Sequence, residues 1–242
     1  MRLDYMTVTG ADDNTNIQGM IELSKDYPFL EWGILFPTMG GSRFPSLSWL
    51  HKLISTLEKD KHNLNLSAHL CGDDLLDALD NNLKINLKKF SRIQLNFHGA
   101  SEYSSDRYLL KNTVKDFVRK QEDYNRKVIF QLDGVNDRVI SEQFNAVKFP
   151  NVQYLFDTSS GAGILPTTFP MPYPGITCGF AGGLGPESIN KTLFTFKEVL
   201  SPTKRFWIDM ETQVRTEGEL DLNKVVQCAA SVSEVIYGSL PI

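Results

Sequence analysis

The chain has 242 residues, of which 41% are hydrophobic and 22% charged, with a formal net charge of −4. That length buries a large core as one α/β barrel or two smaller domains, while the acidic balance argues against a nucleic-acid binder and no apolar run approaches the roughly 20 residues that span a bilayer. Three widely spaced cysteines, Cys71, Cys178 and Cys228, suggest free thiols in a reducing compartment, and "MRLDYMTVTG" lacks the apolar stretch of a signal peptide, so a cytoplasmic location is expected.

Strand-like runs alternate with helix-like runs from one end of the chain to the other. The expected strands are 5–10, 30–37, 64–70, 92–98, 127–133, 152–157, 176–182 and 205–211. Helical patterns fall at 16–27, 46–60, 73–83, 107–121, 141–148, 187–200 and 222–238. Such alternation signals parallel βαβ units, and eight units in about 250 residues is the size of a closed (β/α)8 barrel. No composition break divides the chain, so residues 1–242 are expected to form a single TIM-barrel domain. The unit after the sixth strand is irregular: "TSSGAGILPTTFPMPYPG" replaces a helix and reads as a lid or binding loop. Its Phe169 and Tyr173 suggest an apolar or flat group on the ligand.

The strands alternate apolar and polar residues. Leu66, Ala68 and Leu70 oppose Asn65, Ser67 and His69; Ile93, Leu95 and Phe97 oppose Gln94, Asn96 and His98. Val128, Phe130 and Leu132 oppose Gln131 and Asp133, and Phe206, Ile208 and Met210 oppose Trp207, Asp209 and Glu211. Period two fixes these faces. In a barrel the apolar face meets the helices, so the polar face lines the lumen. That lumen is either a satisfied hydrogen-bond network or a polar ligand cavity. The last inward residues, His69, His98, Asp133, Asp157 and Glu211, all fall at carboxyl ends, where barrel enzymes place their chemistry.

The stretch "GFAGGLGPESI" falls on the seventh strand and runs on beyond it. Gly182 and Gly183 precede a helix start, which makes either a tight structural turn or a bare backbone offered to an anion.

On these residues the chain resembles the phosphoribosylanthranilate isomerase family. The similar segments are "AGGLGP" on the seventh strand, "FPTMGGSRFPS" on the second, "LFDTSSGAG" on the sixth, "LNFHG" on the fourth and "WIDMETQVRTEG" on the eighth. The resemblance implies a (β/α)8 barrel that isomerises a small phosphorylated sugar-like substrate by acid–base chemistry. It implies Asp157 as general acid, Arg43 as the grip on a substrate carboxylate, and Gly182 and Gly183 as the phosphate site. The chain departs from the pattern at two places. Thr9, before Gly10, stands where the family has its general-base cysteine, and Thr212-Gln213 replaces a phosphate-binding Ser-Gly.

The first functional expectation is therefore an isomerase of a small phosphorylated or anionic compound, with no cofactor and no oligomeric state assigned. Its acid–base residues are Asp157, His69, His98 and Asp12, the last replacing the missing cysteine; Asp13 is the alternative base, and a helix N-cap the structural alternative for Asp12. Arg43, Asp133, Asp209 and Glu211 are expected to bind substrate. A second expectation is a metal-dependent epimerase or lyase of the ribulose-phosphate-binding type, because "SAHL" is similar to that family's His-Leu, and His69, His98, Asp133 and Glu211 offer a mixed N/O set for a divalent ion. A third is a non-catalytic phosphate-ligand binder.

Overall fold

In the computed structural model, residues 1–36, 41–59, 62–97, 107–132, 149–157 and 162–238 are described, with side chains from 112 onward in the 107–123 helix. Eight parallel strands close in chain order into a barrel, β1 (Arg2–Thr9), β2 (Leu30–Leu35), β3 (Asn65–Cys71), β4 (Arg92–Asn96), β5 (Lys127–Leu132), β6 (Val152–Asp157), β7 (Cys178–Ala181) and β8 (Arg205–Met210), with β8 pairing back onto β1. Helices α1 (Ile17–Asp26), α2 (Leu47–Lys59), α3 (Gly72–Leu79), α4 (Arg107–Asp123), α5 (Ile189–Val199) and α6 (Leu222–Val232) lie between or after them. A short hairpin, β9 (Arg215–Thr216) with β10 (Glu219–Leu220), follows β8. The barrel reading holds. The helix expected at 141–148 lies outside the described residues. None of the described helices is long and apolar enough to cross a membrane.

The period-two pattern sorts side chains as the sequence implies. Trp32, Ile34, Leu66, Leu70, Ile93, Leu95, Phe130, Phe180, Phe206 and Ile208 belong to one continuous buried cluster packed under the helices. A separate small cluster, Ile129, Leu155 and Trp207, with Tyr5 and Ala181 against it, comes from the alternate strand positions. It sits in the lumen. Gly179 is bare because the Trp207 indole occupies the space its Cβ would take.

Local signals set the helix ends. The Asn16 side chain accepts from the backbone N–H groups of Gln18 and Gly19 and so caps α1, and Asp221 caps α6 by accepting from Asn223 N–H. Each cap satisfies donors that the helix cannot.

The segment after β6 has no helix among its described residues, 162–177. Its aromatic side chains do the covering that a helix would do. The Phe169 ring packs 4.8 Å from that of Phe196 on α5 and 5.8 Å from Phe180 on β7. Tyr173 packs 5.5 Å from Tyr154 and 5.9 Å from Phe156, both on β6. These contacts fasten the loop to the helix-side layer. Neither residue lines the cavity described below, which corrects the expectation that they face a ligand.

Candidate active site at the carboxyl end of the barrel

A cavity of about 210 Å³ opens at the carboxyl ends of the strands. Small-molecule clefts usually hold roughly 300 Å³ or more, so this one suits a compact ligand. His69 (β3), Asp157 (end of β6), Asp209 (β8), Glu211 just beyond β8, Arg43 from the β2–α2 segment, and Gly182 with Gly183 after β7 all border it. The pleat brings these groups to one space because each stands at an inward position near its strand's end, or in the loop that follows. His98 and Asp133 lie outside the described residues.

Asp209 is the most perturbed acid of the site. It is 7% exposed and accepts a 2.8 Å hydrogen bond from the Thr9 hydroxyl. Burial raises its pKa well above the ordinary carboxyl range, and the Glu211 and Glu31 carboxylates add to this. The Thr9 bond and the Arg92 charge pull the other way and do not win. Desolvation of this kind keeps a carboxylic acid protonated where water would ionise it. Thr9, noted in the sequence only as a replaced cysteine, orients Asp209 through this bond.

Gly33 makes room for that contact. It is the register partner of Thr9. A Cβ on it would collide with the Thr9 Oγ1 and come within 3.0 Å of the His69 ring.

His69 is 3% exposed, and its Nε2 has no hydrogen-bond partner among the described residues. Burial first, and the Arg92 charge second, depress its pKa to about 3. The imidazole is therefore neutral at physiological pH and serves as a hydrogen-bonding group.

Asp157 ends a chain of side-chain amides. Gln94 Nε2 and Asn96 Nδ2 donate to Gln131 Oε1 at 3.2 and 3.3 Å, and Gln131 Nε2 donates to Asp157 Oδ2 at 2.9 Å. The relay orients the carboxylate from β4 and β5 through neutral amides.

At the rim, Arg43 Nη1 lies 2.7 Å from Glu211 Oε1, with the two side chains 46% and 25% exposed. The two expected substrate-binding groups hold each other. A ligand carboxylate at Arg43 would compete with Glu211 for the guanidinium.

Asp12 requires a correction. It does not border the cavity. Its Oδ2 accepts from Arg215 Nη2 at 2.9 Å and from Leu220 N–H at 3.1 Å, and its Oδ1 accepts from Asn14 N–H and the Thr15 hydroxyl. Arg215 also donates to Gly10 O, Ser42 O and Gly218 O. Asp12 anchors the β9–β10 hairpin to the end of β1. It does not cap α1 either, since Asn16 does. Asp13 likewise serves structure, accepting from the Ser46 N–H at 2.6 Å.

The double-glycine turn borders the cavity with φ of +106° at Gly182 and +61° at Gly183. At Gly183 a Cβ would run into the backbone at Leu165. Gly185 is similarly closed by Gln213, and Gly163 by Thr212 at 2.8 Å. The β6, β7 and β8 loops therefore interlock through glycines. Ser188, before α5, braces the turn by donating to Gly183 O at 2.8 Å and accepting from Gly185 N–H at 3.1 Å. The Thr212-Gln213 pair forms a single 3-10 turn, Thr212–Val214.

Among the described residues there is no group of three His, Cys, Asp or Glu side chains placed to hold a metal ion. Two of the four ligands expected for that reading, His98 and Asp133, lie outside them.

No family model matches the chain, and no curated protein matches it. Solved structures do. It is similar to N-(5′-phosphoribosyl)anthranilate isomerase from Pyrococcus furiosus, with a TM-score of 0.55, 13% identity, and coverage of 95% of this chain and 98% of that one. It is similar to phospho-2-dehydro-3-deoxyheptonate aldolase (DAHP synthase) from Thermotoga maritima, with a TM-score of 0.52, 12% identity, and coverage of 97% and 70%. A D-tagatose 3-epimerase-like protein gives a TM-score of 0.51, 12% identity, and coverage of 96% and 99%. At such identities the likeness shows the fold alone, a TIM barrel. Fold does not carry function with it, so function has to be read from the cavity.

Proposed function

We propose that this barrel is an acid–base isomerase of a small sugar-like carbonyl compound, with Asp209 as the acid and Asp157 as the base. The observation that carries the reading is the buried, Thr9-bonded Asp209 at the cavity, whose burial pushes its pKa well above the ordinary carboxyl range. Two carboxyl groups in different surroundings divide acid from base. Asp157, oriented by Gln131, takes the proton from the carbon beside the substrate carbonyl. Asp209 gives its proton to the carbonyl oxygen, and an enediol results. Asp157 then returns its proton to the former carbonyl carbon while the ionised Asp209 takes the proton of the neighbouring hydroxyl, which yields the isomer and restores both carboxyl groups. Neutral His69 offers a hydrogen bond to a substrate hydroxyl. This allocation exchanges the role that the family resemblance implies for Asp157.

A phosphorylated or anionic end of the substrate is assigned to the Gly182 side of the β7 turn. Support comes from the bare backbone bordering the cavity ahead of α5, a setting suited to anions. The loop packed at Leu165 restricts the Gly183 side. Needing no cofactor, the reaction is tested by incubating the full chain in D2O with aldoses, ketoses and their phosphates and following exchange at the carbon next to the carbonyl by NMR. Exchange with isomer formation, lost in Asp209→Asn and in Asp157→Asn, is expected. Absence of exchange across the set, or its survival in Asp209→Asn, contradicts the proposal.

A further inference from the structure

Below the cavity floor the lumen holds a buried ion pair that the proposed reaction does not use. Arg92 Nη1 lies 3.0 Å from Glu31 Oε2, and the residues are 1% and 0% exposed. The Thr7 hydroxyl donates to the same Glu31 oxygen at 2.8 Å. The guanidinium carbon sits 4.1 Å from the centroid of the Trp207 ring and 5.0 Å from that of Tyr5. The flat cation is thus fixed by one carboxylate and two aromatic faces.

That pair satisfies only part of its own hydrogen-bonding capacity. Arg92 Nε and Nη2, Glu31 Oε1, Ser67 Oγ, His69 Nε2 and Gln94 Oε1 are all buried without a partner among the described residues. They are not scattered. Ser67 and Arg92 are register partners on β3 and β4, and His69 and Gln94 are the inward pair next above them. Glu31 stands on the adjoining strand β2. Buried polar groups of this kind carry a cost unless they are bridged, and a polar pocket with several convergent donors and acceptors is where proteins keep internal water.

We infer that the β2–β4 wall of the lumen binds a cluster of ordered waters that joins the Arg92–Glu31 pair to His69, making Arg92 a positioning residue for the acid–base site. Donors on Arg92 meet the acceptors Glu31 Oε1 and Gln94 Oε1 through water, and the hydroxyl of Ser67 serves as either. The buried cation discourages any proton on His69 and so keeps its imidazole a neutral partner for the ligand; the direction of the His69 pKa agrees with this. Among the described residues, the other ionisable groups bordering the lumen and cavity near His69 are Tyr5 on β1, Glu31 on β2, Arg43 after β2, Cys71 on β3, Asp157 on β6, and Asp209 and Glu211 on and after β8.

The inference rests on the proposed acid–base reading, and two kinds of measurement separate them. In the wild-type chain, 15N NMR of His69 should show one neutral tautomer from pH 5 to 8, with cross-relaxation from its ring to long-lived water. Arg92→Lys keeps the charge but loses the fork and the flat face; kcat should fall on the order of 10- to 100-fold, as for a misplaced catalytic group, with KM changed less than about twofold. The paired change Glu31→Gln with Arg92→Met removes both charges together, so no lone charge is left buried; it should lose kcat similarly and move the His69 titration upward. No long-lived water at His69, or wild-type kcat and His69 titration in both variants, overturns the inference. If the wild-type chain exchanges no sugar proton, the proposed reaction falls, while the water signals and the His69 titration still decide this proposal.

Discussion

The Thr9 hydroxyl bonds to Asp209 across the seam where the first and last strands of the barrel close, two residues separated by almost the whole chain. Thr9→Val removes the one side-chain hydrogen bond that favours the ionised form of Asp209. The Asp209 pKa should rise further, and the alkaline limb of the pH–rate profile should move to higher pH. A profile unchanged by the substitution would mean that Asp209 is not the acid.

Asp209 also links stability to pH. Its folded pKa lies above its unfolded value, so its contribution is fully present below about pH 4, the ordinary carboxyl range, and is lost as pH rises through the folded pKa. Asp209→Asn should therefore be more stable than wild type at neutral pH and should lose that advantage near pH 4. Urea unfolding at the two pH values checks this.

His69 works in the opposite sense. Its folded pKa, about 3, is below the unfolded value of about 6.5. Its contribution to stability is present above about pH 6.5 and falls away as pH drops toward 3, by up to about 1.4 kcal/mol per pH unit. His69→Gln should flatten the acid side of the stability curve between pH 6.5 and 4.

Gly33→Ala adds one methyl group between Thr9 and His69. Overpacking of this kind costs about 1–3 kcal/mol and would displace the Thr9 hydroxyl. Turnover should fall well beyond what the loss of folded protein explains, as read from the rate per folded molecule.

Asp12→Ala tests the structural assignment of that residue. Breaking a buried ion pair costs about 3–5 kcal/mol, and with the Asp12 side chain 6% exposed and that of Arg215 10% exposed a loss near the lower figure is expected. The folded fraction should turn over at close to the wild-type rate. A large fall in kcat with unchanged stability would return Asp12 to the site.

The barrel was legible because period two and helix periodicity are local. "LNLSAHL" alone says which residues face inward, and the order of strands and helices says where their ends gather. His69, Asp157, Asp209 and Glu211 followed from that rule. What the rule could not supply was pairing. Glu31 in "LEWGIL" and Arg92 in "RIQLNFH" stand at inward positions, yet only the register of β2, β3 and β4 brings them together. Thr9 and Asp209 meet only when β8 closes on β1. Asp12 misled because an acid after a strand reads equally as base, cap or anchor, and the deciding partner, Arg215, lies 203 residues away. The glycines of the β7 turn read as an anion site, whereas Gly183 and Gly185 also answer to side chains and backbone of the neighbouring loops.

The proposed chemistry stands on Asp209 carrying a proton at the cavity near neutral pH. Carbon-13 NMR titration of the side-chain carboxyl groups, with Asp209 assigned by its absence in Asp209→Asn, measures it directly and needs no substrate. The expected result is an Asp209 inflection well above the ordinary 3.8, moving higher in Thr9→Val. An inflection at or below the ordinary carboxyl range would contradict it.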